Sequence, residues 1–598
     1  MSENILISLG LIVLLGFTAQ WLSWKMKIPS ILLLLILGII AGPVLGVVNP
    51  DEMLGDILMP FISFSVAIIL FQGGLTLKLS EFKTIGSVVS LLISLGLIIT
   101  WLTATMAAHW LFGLNIEIAI LLGAVLTVTG PTVIGPLLRN IRPRHNVGNI
   151  LKWEGILIDP IGALLAILVF EVILIGNVDN AAPLILLNML KTILMTTLIG
   201  GGFALLLTLL IKKYWIPDYL QEVAALAFVV AALLISNYFQ EESGLLAATI
   251  MGIVLANQNY VAIKNIKDFK ANLTVLMIPV LFILLSARLS VSDLQLMNYK
   301  GAIFLAVLIL IGRPLSVFIS TIRSEMNLKG KLFISWMAPR GIVAAAVSSV
   351  FALKLEEIEI AQAEYLVPLT FMVIIGTVLI YGITSPIAAR LLKISQSNPQ
   401  GVIIAGAQEW ALQIATILHE NNFSVLILDT NRFNTRQAKM KGLKAYNESI
   451  ISDKVIDKID LEGVGKLLAL TSNDEVNSMG VLHFSEIFEK ENLYQLQPAT
   501  KEDEREYSPQ HLRGRFLFGK NITYDHITKR TRDGAAIKST NITEKFTFED
   551  FKNKYGESAI PLFAITANRK LIPFTSGDKI IPEKGSVIIA LINPAGQV

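Results

Sequence analysis

Two carboxylates and two arginines stand inside segments that are otherwise almost wholly apolar. One segment reads Lys152-Trp153-Glu154-Gly155-Ile156-Leu157-Ile158-Asp159-Pro160. If it is helical from near Asn149, Asp159 lies about 15 Å in and Glu154 about 7.5 Å nearer the start. At about 100° per residue the two acids point about 140° apart, so they need different partners. A second segment holds Ala338-Pro339-Arg340-Gly341. A guanidinium cannot shed its proton, so at depth Arg340 needs a carboxylate, and Glu154 is the candidate. Arg313, before Pro314, is another embedded arginine, with no partner assigned. A third segment holds Thr127-Val128-Thr129-Gly130-Pro131-Thr132.

This set suits cation and proton chemistry. A carboxylate away from water is poorly solvated when charged, and either a proton or a metal cation can neutralise it. The two compete for one site. The hydroxyls of Thr129 and Thr132, with carbonyls freed by the Gly-Pro breaks, add the oxygen ligands that hard cations prefer. Exposing such a site to each side of a membrane in turn exchanges one ion for the other.

The elements that must position these residues are membrane spans. The 598-residue chain is 54% hydrophobic and only 16% charged, against about 25% charged in a soluble protein. The shortage is local: residues 1–394 are roughly 11% charged and the remainder roughly 25%. The border falls near Lys393–Pro399. A span needs about 20 apolar residues, and about thirteen candidates fit before that border. Loops with Lys78/Lys83, Lys212/Lys213 and Lys264/Lys267/Lys270 alternate with acidic ones such as Asp51/Glu52/Asp56, Glu241/Glu242 and Glu356/Glu357/Glu359. The positive-inside rule then puts the N-terminus outside and the C-terminal half in the cytoplasm. With the seventh span as a link, the breaks at Gly130-Pro131 and Pro339 both fall on the fifth helix of a six-helix repeat. Paired broken helices in inverted repeats mark the ion site of secondary transporters.

The chain has no cysteine, which excludes disulfides, thiol catalysis and cysteine-held metals. The six histidines are scattered and suggest no resident metal site, and a net charge of +3 is too small to argue for nucleic acid.

After the border, Gly401–Gly406 reads as a buried strand, 408–420 as a helix, and Ser424–Leu428 as a second strand ending at Asp429. This is the layout of a dinucleotide fold, with Asp429 placed for ribose. The fingerprint is degraded: after Gly406 its glycine positions hold Gln408 and Ala411. Lys466–Asn477, with Thr471, is another strand running into a helix.

The membrane half resembles the monovalent cation:proton antiporters, in the Na+/H+ exchanger branch with NhaP-type members. The resemblance rests on PSILLLLILGIIAGP (29–43), FQGGLTL (71–77), EGILIDP (154–160), ESGLLAATIMGIVLAN (242–257), WMAPRGIV (336–343) and GITSPIAAR (382–390). It implies crossed broken helices, an elevator-like motion, a homodimer in the plasma membrane, Asp159 as ion carrier, and Glu154 paired with Arg340. Two positions depart from the family. Its Thr-Asp-Pro is here Thr129-Gly130-Pro131, and its Asn-Asp or Asp-Asp pair is Ile158-Asp159. A single carboxylate suggests one-for-one exchange and leaves Na+ against K+ open.

Residues 399–490 resemble RCK/TrkA-N regulatory domains. This implies dimerisation and gating by a nucleotide such as NAD(H), AMP or ATP, with Gly406, Gln408, Ala411, Asp429 and Thr471 at the ligand. The alternative is a Rossmann fold that binds no nucleotide and clamps a dimer. The expected architecture is a polytopic α-helical membrane domain (1–394), a Rossmann-like domain (399–535) and a small β-rich domain (536–598). The expected function is a transporter with no required cofactor and not an enzyme. An RCK-gated potassium channel lacks a TVGYG-like filter, and a nicotinamide enzyme lacks a second substrate domain.

Overall fold

The computed structural model describes residues 2–593 apart from 27, 142, 144–145, 176–180, 290–298, 396–399, 453–454, 456–458, 460, 462, 486, 500–512, 557–558 and 578–579. Four residues of the border stretch thus lie outside the described residues. The chain forms two compact units, Met1–Ser395 and Gln396–Val598.

The first unit is helical. In chain order it holds α1 Ser2–Met26, α2 Ser30–Ile39, α3 Leu58–Leu75 and α4 Leu79–Phe112. Then come α5 Ile116–Val125, α6 Pro131–Ile141, α7 Val147–Ile175 and α8 Ala181–Lys212. The second half has α9 Gln221–Phe239, α10 Ser243–Asn257, α11 Lys264–Ala287 and α12 Tyr299–Ser320. It ends with α13 Leu328–Ser335, α14 Ile342–Glu357 and α15 Leu366–Leu391. Among the described residues, nine helices are long and apolar enough to cross a membrane. Ser30–Val44, Ile116–Val125 and Ser243–Asn257 are shorter apolar helices.

Small residues let these helices pack closely, as expected where lipid leaves no hydrophobic drive between them. α3 and α10 cross at Gly74 and Gly252, where an added Cβ would lie 2.4 Å from the Thr249 carbonyl and 2.3 Å from the Phe71 carbonyl. α4 and α12 each contain one wide π turn, Leu92–Gly96 and Leu308–Gly312. Such turns re-aim the residues after them. Here Arg313 follows directly, and Ser316 and Ser320 of α12 donate to the Gly96 and Leu91 carbonyls at 3.1 and 3.2 Å.

The second unit opens with β1 Gly401–Ala405, α16 Glu409–Glu420, β2 Val425–Leu428, α17 Arg432–Met440 and β3 Lys444–Tyr446. β4 Val464–Ala469, α18 Asp474–Phe484, β5 Leu493–Gln495 and β6 Arg515–Phe516 follow. The six strands form a parallel sheet ordered β3-β2-β1-β4-β5-β6. The chain reverses direction of growth between β1 and β4, the switch point where open sheets of this kind hold ligands. α19 Tyr524–Arg532 leads into β7 Ala536–Asn541, α20 Phe548–Tyr555, β8 Ile560–Ile565, β9 Leu571–Pro573 and β10 Val587–Ile592. These last strands pair antiparallel in the order β7-β10-β8-β9. Trp410, Ala411 and Ile414 of α16 share one apolar core with Ile537, Phe563 and Ile589, so the two sheets form one compact body.

Among the described residues, one charge is buried in that body. Lys466, on β4, is 5% exposed and donates to Gln400 Oε1 at 2.9 Å. Burial, and then the neighbouring Lys570, pull its ammonium down to about 8.

Candidate functional site

The two broken segments meet backbone to backbone. α5 stops at Val125, and Pro131, which has no N–H to lose, opens α6. α13 stops at Ser335 and α14 starts after Gly341. Gly130 N–H donates to the Pro339 carbonyl at 3.1 Å. A Cβ on Gly130 would lie 2.4 Å from Gly341 Cα, and one on Gly341 would lie 2.4 Å from Gly130 Cα. The carboxylate missing at position 130 is therefore matched by a crossing with no room for any side chain.

Asp159 faces this crossing. Residues 155, 159 and 162 fall on one face of α7 at i, i+4 and i+7 spacing. Gly155 packs on Ile134 and Pro131, and Gly162 packs on Thr127 and Val128. Asp159, between them, is set against the break itself and is 2% exposed. Its Oδ1 has no hydrogen-bond partner among the described residues, and neither do Thr129 Oγ1, Thr132 Oγ1 and Arg340 Nε. Buried polar atoms are nearly always partnered. Four orphans at one crossing, three of them oxygens, fit a place where a cation or proton is held.

The arginines are placed otherwise than the sequence suggested. Glu154 does not pair with Arg340. It forms a two-pronged ion pair with Arg313, whose Nη1 meets Glu154 Oε1 and whose Nη2 meets Oε2 at 2.9 Å. Both side chains are buried, at 1% and 5% exposed. The physical reason is depth. Glu154 lies seven residues from one end of α7 and Arg313 seven from the end of α12, about 10 Å in each case. Arg340 sits at the crossing itself, against the same break that Asp159 faces. Arg313 also donates to the carbonyls of Ile334 and Met337, at 3.2 and 3.1 Å. Arg340 Nη1 donates to the carbonyls of Thr127 and Val128, at 3.1 and 3.2 Å. Each broken half-helix thus ends on a guanidinium, which satisfies loose carbonyls and complements the negative end of the dipole. Arg340 N–H is held by Thr377 Oγ1 of α15 at 3.2 Å. This capping role leaves no mark in the sequence.

In the second unit, Gly406, Gln408, Asp429 and Thr471 line a cavity of about 300 Å³ at the switch point, with Glu448 and Tyr524. Ala411 does not reach it and belongs to the apolar core. Thr471 is committed within its own turn, donating to Asn477 Oδ1 at 2.7 Å.

A family model described as sodium/hydrogen exchanger, transmembrane, matches residues 10–391. The chain belongs to the sodium/hydrogen exchanger family. A second model, the TrkA-N domain, matches residues 402–506. The exchanger is 28% identical over 394 residues to Na+/H+ antiporter 1 of Methanocaldococcus jannaschii, covering 62% of this chain and 89% of that protein. It is 27% identical to the K+/H+ antiporter NhaP of Alkalimonas amylolytica, covering 66% of this chain and 67% of that one. A solved structure of the sodium proton antiporter of M. jannaschii matches with a TM-score of 0.54 at 27% identity, over 64% of this chain and 96% of that chain. The protein is thus a multi-pass membrane protein, a monovalent cation/proton antiporter carrying a C-terminal TrkA-N domain. It is a transporter and not an enzyme.

Proposed function

We propose that the exchanger carries one Na+ or K+ against one proton at Asp159. The observation that supports this most is the buried Oδ1 of Asp159, with no partner among the described residues, set against the Gly130–Gly341 crossing beside two threonine hydroxyls likewise without one. Carboxylate and hydroxyl oxygens suit a hard monovalent cation, and a proton on the same carboxylate excludes it. Arg340 stays on its carbonyls and offsets the charge of Asp159 between loads. Both oxygens of Glu154 are engaged by Arg313, and this pair holds the frame.

The same reading has about thirteen crossings, a homodimer in the plasma membrane, the N-terminus outside and the TrkA-N domain in the cytoplasm as a ligand-responsive regulator. The alternation of basic and acidic loops supports this orientation. The test is dissipation of a pH gradient in proteoliposomes by Na+, K+ or Li+, wild type against Asp159→Asn. The variant should lose cation-driven proton movement to below about a hundredth of wild type, in keeping with a carboxylate on which both ions depend. Equal rates would remove Asp159 from the mechanism.

A further inference from the structure

The cavity at the switch point of the parallel sheet has the position of a nucleotide site and the wrong chemistry for a phosphate. We infer that it takes an uncharged nucleoside and discriminates against phosphorylated nucleotides and dinucleotides. This rests on reading the TrkA-N domain as ligand-responsive.

Position comes first. Open sheets bind ligands at the carboxyl ends of their strands where the strand order reverses, and this cavity is lined there by Ala405, Leu428 and Asp429. Its size, about 300 Å³, is at the small end of ligand pockets. That suits one nucleoside better than two joined through a pyrophosphate.

Phosphate binding in such folds uses free amide N–H groups of the glycine turn and the positive end of the helix that follows. Here the first two amides of the turn are already used and its approach is obstructed. Gly406 N–H donates to the Leu428 carbonyl at 2.8 Å. Ala407 N–H donates to Asp429 Oδ2 at 2.7 Å, so a carboxylate of the chain itself occupies an anion position of the turn. Gln408, in place of the second glycine, lies across the turn. Its Nε2 donates to the Leu470 carbonyl at 2.7 Å, and its Oε1 stands 2.9 Å from where a Cβ of Gly406 would be. Glu409 then opens α16 with a negative charge, which offsets the helix dipole a phosphate would use.

The remaining lining points the same way. Asp429 and Glu448 both face the cavity, and no Lys or Arg is among its described lining residues. Asp429 also accepts from Asn431 N–H at 2.7 Å and Asn434 Nδ2 at 3.1 Å. A carboxylate has about four acceptor sites, so one is left for a sugar hydroxyl. Leu428 and Ile450 give an apolar floor and Tyr524 a ring at the edge, suited to a base. Two carboxylates welcome hydroxyl donors and repel a phosphate.

The test is calorimetric titration of the full-length protein in detergent with adenosine, AMP and NAD+, in wild type and Gln408→Gly. Adenosine should bind wild type at least tenfold more tightly than AMP or NAD+, about 1.4 kcal/mol. Gln408→Gly should narrow the gap between adenosine and AMP at least threefold, and an unchanged gap would count against the inference. Tighter wild-type binding of AMP or NAD+ would overturn the inference and leave a ligand-responsive domain standing. Heat from none of the three would overturn both. The pH-gradient assay on the same preparation shows whether the exchanger itself is intact.

Discussion

Gly130→Ala is the smallest change that tests the crossing. The added Cβ would lie 2.4 Å from Gly341 Cα, where ordinary contact starts at 3.4 Å. The atoms it would meet below 3.4 Å are Gly341 backbone, which cannot rotate away, so the two breaks must part by about 1 Å. Overpacking of this kind costs about 1–3 kcal/mol. Around a reacting centre, a 1 Å misplacement costs about a hundredfold in rate. The expected result is exchange reduced by about two orders of magnitude, with a melting temperature in detergent lowered by a few degrees. Gly341→Ala should behave alike, because it fills the same gap from the other side. Gly135→Ala is the control. It lies on α6 with nothing within 4 Å of its Cβ position, so it should leave both readouts unchanged. Wild-type exchange and melting in Gly130→Ala would refute the crossing as described.

Two other outcomes follow from buried charge. Glu154→Gln leaves Arg313 charged in a site of 5% exposure, which should cost about 3–5 kcal/mol of stability. The double change Glu154→Leu with Arg313→Met should recover a large part of the loss in a melting experiment, and a double variant no better than the single one would contradict the pairing. Lys466 concerns pH. Its folded value of about 8 lies below the ordinary 10.5, so between those values the unfolded chain binds the extra proton and stability rises with pH. Lys466→Met should lack that rise, and parallel melting curves from pH 7 to 10.5 would count against it.

Much of the membrane half was legible because lipid is an unforgiving solvent. Asp159, Glu154 and Arg340 stood out since almost every neighbour was apolar, and Gly130-Pro131 and Pro339 gave away both breaks. The partners of the charges were not legible. Angle around a helix separated Glu154 from Asp159, yet only depth relative to a different helix selects Arg313, and the π turn at Leu308–Gly312 that aims it has no clear sequence mark. Position 130 read as a missing ligand, whereas the structure makes it a contact, because a glycine reports its purpose only when its neighbour is known. In the second unit the strands and Asp429 were readable from apolar runs. The shared core of the two sheets was not, since Ile537 and Phe563 meet α16 across more than a hundred residues of chain.

The charges around the crossing have an electrical meaning. Among the described residues there, Glu154 and Asp159 are matched by Arg313 and Arg340, so the empty site is neutral. Loaded with a proton or with a monovalent cation, it carries one positive charge in either case. Moving a charge through a membrane potential costs or gains about 2.3 kcal/mol per 100 mV, and here that work is equal and opposite on the outward and the return journey, so it cancels over the cycle. Voltage favours one loaded crossing and opposes the other to the same extent, and so gives the cycle no direction. On the proposed one-for-one exchange at Asp159, the two concentration gradients alone decide which way the exchanger runs.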